Sequence, residues 1–142
     1  MGLDNGITLH STRPIPIPKE LVRVYDDSQY EKTEDYPYAY SICYWRKCWN
    51  IRRAIALALG TDMEDASKDG LTISDIKNIW HAINYLNCKK VWDEGDSLWT
   101  YKEIRDNLDE SLHALEWLIN IMRYCKDGFL FGEMRLEFYD SY

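Results

Sequence analysis

Apolar side chains recurring every three or four positions dominate the C-terminal half of this chain. Ile104, Leu108, Leu112, Leu115, Leu118, Ile119 and Met122 form one sustained stripe, which predicts a helix from about Thr100 to Tyr124 that Lys126, Asp127 and Gly128 end. Ile76, Ile79, Trp80, Ile83, Tyr85 and Leu86 predict a second helix, from near Ser74 with Asp75 in its first turn to about Trp92. WDEGDS, Trp92 to Ser97, breaks it and reads as a solvated turn. Earlier in the chain, Ser41 to Leu59 predicts another helix, closed by Gly60 as a C-terminal cap.

The ends of the chain carry a different period. Ile7 and Leu9 alternate with Thr8 and His10, and Met134, Leu136 and Phe138 alternate with Glu133, Arg135 and Glu137, so each end predicts a half-buried strand. Gly132 marks a bulge or close backbone approach in the second. Pro14, Pro16 and Pro18 cannot donate ladder hydrogen bonds, which makes that stretch an extended edge or loop before strand-like Leu21 to Tyr25. Asp26 to Tyr40 has no period and reads as a long surface loop, and Thr61 to Gly70 as an acidic connection. The implied fold is α+β: about three helices packed on a small, mostly antiparallel sheet formed by the N-terminal strands and the C-terminal strand. One globular domain spanning residues 1–142 accounts for the length.

Composition supports a core that needs neither disulfides nor metal, with 46% hydrophobic and 14% aromatic residues. The net charge of −7 argues against direct nucleic-acid binding and against anionic membranes. It is unevenly spread, since residues 1–60 net +1 and residues 61–142 net −8. That acidic half reads either as a solvated face or as a DNA-mimic inhibitor. Cys43, Cys48, Cys88 and Cys125 lack metal-site spacing, and free buried thiols in a reducing compartment are the expectation. Neither a secretory leader nor ~18 consecutive apolar residues is evident, which points to a cytoplasmic protein with no membrane partner.

Candidate chemistry concentrates in SICYWRKCWNIRRAIALALG, Ser41 to Gly60. On a helix, Arg46, Asn50 and Arg53 fall at i, i+4 and i+7 on one face, with Trp49 beside them and Trp45 one turn earlier. Guanidinium groups beside an indole suit a phosphate or carboxylate. Alternatively, Trp45, Trp49, Cys48, Ile51 and Ile55 are core, and the basic residues pair with the acidic half. A small-molecule or nucleotide pocket built from Tyr44, Arg46, Lys47, Arg53 and His81 is a further reading. His10, His81 and His113 are scattered, carboxylate pairs are numerous without selecting a site, and HExxH, GxSxG, GxxxxGK[ST] and GxGxxG are absent. The chain therefore predicts neither a catalytic residue nor a metal or cofactor.

Three blocks together resemble a family of small uncharacterised proteins encoded by phages, prophages and some gut bacteria. They are the start MGLDN, the central CYWRKCWNIR from Cys43 to Arg52, and KDGFLFGE from Lys126 to Glu133. Relatives open MGLDM or MGLDN, carry YWRK, and end in a glycine-containing aromatic strand. The resemblance implies a phage or prophage context, and by analogy an accessory protein that binds a host or defence protein.

Overall fold

A computed structural model of the chain describes residues 4–18, 21, 34–46, 48–62, 64–89 and 101–141. Among these, four strands and four helices follow in the order β1 (Asp4–Ser11), β2 (Tyr38–Arg46), α1 (Trp49–Leu59), β3 (Lys68–Asp69), α2 (Ile73–Lys89), α3 (Tyr101–Tyr124), α4 (Lys126–Leu130) and β4 (Met134–Ser141). The fold is α+β. The sheet is antiparallel throughout, in the order β2–β1–β4–β3.

β1 lies inside the sheet, paired along its full length with β4 from the far end of the chain on one side and with mid-chain β2 on the other. Asp4 lies opposite Ser141 and Ser11 opposite Met134 on one side, while Asp4 lies opposite Arg46 and Ser11 opposite Tyr38 on the other. The expected meeting of the two ends is thus realised. Alternation then sorts the side chains, with Ile7, Leu9, Met134, Leu136 and Phe138 joining one core with Ile51, Ile55, Ile76, Ile79, Ile83, Leu108, Leu115 and Leu118 from α1, α2 and α3. Each of these side chains stabilises the fold by roughly 1.5–3 kcal/mol when it leaves water. Thr8, His10, Arg135 and Glu137 fall on the other side of the pleat.

The close approach of β1 to β2 requires a glycine at position 6. A Cβ there would meet the Cys43 carbonyl oxygen at 2.6 Å and the Tyr139 hydroxyl at 2.6 Å. A register irregularity between Ile7 and Thr8 follows one residue later.

Helix ends follow local chemistry. Gly60 closes α1 in a left-handed conformation (φ 70°), and Thr61 N–H bonds back to the Ala56 carbonyl. Thr72 and Asp75 start α2 with a reciprocal pair of bonds: Asp75 Oδ2 accepts Thr72 N–H at 2.9 Å, and Thr72 Oγ1 accepts Asp75 N–H at 3.2 Å.

The expected helix from Ser41 to Leu59 is corrected in its first half. Ser41 to Arg46 are strand, and the helix begins only at Trp49. β1 offers a complete ladder to this segment, and Trp45 is fully buried with its indole N–H donating to Ser111 Oγ on α3 at 3.2 Å. Tyr38 to Tyr40, assigned to a loop from sequence, begin the same strand. Lys126 to Leu130, read as a helix stop leading into a strand, form a single helical turn, and Gly132 occupies the turn before β4 at φ 79° with nothing near its Cβ position. The strand expected at Leu21 to Tyr25 lies outside the described residues apart from Leu21, as do Lys47 and WDEGDS.

Candidate functional site

The structure divides the residues singled out from sequence into three groups. Tyr44 and Arg46 lie on β2, so Arg46 does not share a helical face with Asn50 and Arg53. Trp49 opens α1 at 37% exposure, with the Arg52 guanidinium 5.7 Å from its ring centre. Asn50, Arg53 and His81 come together.

Those three line a groove of about 620 Å³ between α1 and α2. The helices present matching stripes to it: Asn50, Arg53 and Leu57 along α1, and Asn78, His81 and Tyr85 along α2. Both stripes run at spacings of three and four, which places each set on one helix face. Small side chains at Ala54, Ala58 and Ala82 lie between them and allow close approach. Among the described residues no carboxylate lines the groove. Arg53 and His81 are exposed and make no ion pair among the described residues. Leu57 and Tyr85 are exposed at 71% and 59%, a large apolar area to leave in water beside a cation.

The remaining basic residue of this helix has a structural task. Arg52 is buried on α1 and donates through Nε and Nη2 to the two Asp140 oxygens at 2.8 and 2.7 Å. Asp140 also accepts Ala66 N–H at 2.9 Å and a bond from the Asn5 amide. Burial alone would raise the Asp140 carboxyl, but the Arg52 and Ala66 bonds outweigh it and hold the group below the usual carboxylate range. Arg52 thus pairs with the acidic half of the chain, as the core reading of this helix expects, while its neighbour Arg53 is exposed and makes no ion pair among the described residues.

The other histidines and the cysteines do not line the groove. His10 is buried, its Nε2 3.5 Å from Glu137 Oε1 and its Nδ1 without a hydrogen-bond partner among the described residues, while its ring lies 5.9 Å from Tyr36. His113 is exposed on α3 next to Glu116. Cys43 and Cys48 are buried, but Cys88 is exposed and Cys125 half-buried, which corrects the expectation of four buried thiols. Among the described residues no group of three or more His, Cys, Asp or Glu could hold a metal ion, and no helix is long and apolar enough to cross a membrane.

Leu57 and Asn78 are not marked by the sequence reading, and Tyr85, expected on the inner face of the second helix, is instead 59% exposed in the groove. Leu57 lies at i+4 from Arg53, so local spacing does carry a signal for it. Nothing in the sequence paired α1 with α2. No protein-family model matches the chain, and no curated protein or solved structure is significantly similar to it.

Proposed function

We propose that this is a noncatalytic accessory protein of a phage or prophage that acts by binding a host or defence protein, with the α1/α2 groove as its docking face. The supporting observation is the pairing of Arg53 and His81 with exposed Leu57 and Tyr85 in a groove without a carboxylate among the described residues. Arg and Tyr rank among the side chains that contribute most at protein interfaces, and charge depletion around an apolar centre is the common interface pattern. The partner surface that fits carries one or more carboxylates flanked by apolar side chains.

Affinity capture from a bacterial lysate tests this reading, with wild-type protein compared against Arg53→Glu and Leu57→Asp. A specific partner retained by the wild type and lost by both variants is the expected result. Absence of any specific partner, or a partner held equally by all three proteins, would reject it. The nucleotide-pocket reading has less support, because Tyr44 and Arg46 belong to β2 and do not line the groove with Arg53 and His81.

A further inference from the structure

A second cavity, of about 680 Å³, opens where α4 and the C-terminal end of α3 meet the start of α2 and the β4 strand. Its volume falls in the range of small-molecule sites, ~300–1,000 Å³. The walls are apolar: Leu71, Ile73, Met122, Phe129, Met134 and Leu136 all line it. Around them, among the described residues, stand three cations, Arg123, Lys126 and Arg135, and no carboxylate, in a chain that carries −7 overall.

The three cations are not equivalent. Arg135 is neutralised by an ion pair with Asp69, and its guanidinium lies 5.1 Å from the Tyr36 ring centre. Arg123 and Lys126 are exposed, three residues apart, and without an ion-pair partner among the described residues. Tyr36 also donates its hydroxyl to the Gly132 carbonyl at 2.7 Å, and both residues line the cavity, so this contact bounds one side of it.

We propose that this cavity binds an amphiphilic anion: an acyl or alkyl chain against the apolar walls, with its anionic head at Arg123 and Lys126. Burial of the chain supplies most of the affinity, and the two cations select the sign of the head group. None of the α1/α2 groove residues lines this cavity, so the inference stands apart from the docking face.

Calorimetric titration of the full chain with decanoate, decyl phosphate and decyltrimethylammonium, each below its micellar concentration, provides the test. Saturable one-to-one binding of an anionic probe, at least about tenfold tighter than the cationic one, is expected. Arg123→Glu combined with Lys126→Glu weakens that binding by about tenfold or more, Ile73→Trp abolishes it by filling the cavity, and Arg105→Glu, at an exposed position of α3 that lines neither cavity, leaves it unchanged. The charge-reversal pair is exposed and keeps the test valid if Ile73→Trp impairs folding, which circular dichroism and thermal unfolding report. A preference between decanoate and decyl phosphate identifies the head group. Equal binding of both charge types, indifference to the charge reversal, or no saturable heat overturns the proposal.

Discussion

Arg52 on α1 and Asp140 on β4, 88 residues apart in sequence, form a two-pronged buried ion pair that ties the helical layer to the C-terminal strand. Asn5 on β1 and the Ala66 amide complete the shell around Asp140, so one carboxylate joins three separate parts of the chain. Removing either partner leaves a buried charge uncompensated. Arg52→Met or Asp140→Asn is expected to cost about 3–5 kcal/mol in urea unfolding, with Arg52→Met plus Asp140→Leu costing less than the sum of the single changes.

The same pair sets the acid response. Asp140 and Asp75 both lie below the ordinary carboxylate range in the folded chain; burial opposes this in each case, but Arg52 and Ala66 hold Asp140, and Thr72 and Lys68 hold Asp75. Their contribution is fully present above the unfolded-state pKa of about 4. As pH falls below that value the unfolded chain takes up protons first, so stability declines until the native carboxyls themselves protonate. Urea midpoints measured from pH 7 down to pH 3 should fall, and the fall should be shallower in Asp140→Asn.

Gly6→Ala should destabilise by about 1–3 kcal/mol through overpacking. The added methyl meets the Cys43 carbonyl, part of the neighbouring strand's backbone, as well as Tyr139. A side chain can rotate away, but the backbone cannot without loosening the ladder. Thermal unfolding of Gly6→Ala against wild type gives the answer, and an unchanged midpoint would contradict the close approach.

Trp45 holds α3 to β2 through Ser111, whose hydroxyl donates to Asn107 Oδ1, while the Asn107 amide donates to the Tyr44 carbonyl at 3.3 Å. Trp45→Phe keeps most of the packing and loses one buried bond, an expected cost of about 1–3 kcal/mol. Trp45→Ala adds a cavity and should cost about 3–5 kcal/mol. Chemical denaturation separates the two.

Groove substitutions should behave differently. Arg53→Glu and Leu57→Asp alter exposed positions, so their unfolding free energies should stay within about 0.5 kcal/mol of wild type. Combined with loss of partner capture, that result would assign the groove to binding and not to folding.

Two helices and two strands were legible from the sequence because their signals are local. The stripes along α2 and α3, the cap at Gly60, and the alternation of Ile7 with Leu9 and of Leu136 with Phe138 each need only a few neighbouring residues to be read. β2 was not legible. Ala39, Ser41, Ile42, Cys43 and Trp45 are all buried, so residues on both sides of the pleat leave water and the period-two signal disappears. The strand exists because β1, some thirty residues earlier, supplies its ladder. Tertiary structure likewise decided which basic residues act: Arg52 and Arg53 are adjacent in sequence, but the helix turns one towards Asp140 and the other towards His81's groove. Local periodicity set α2, α3 and the end strands, whereas pairing between distant segments set β2, the buried charge pair and the two cavities.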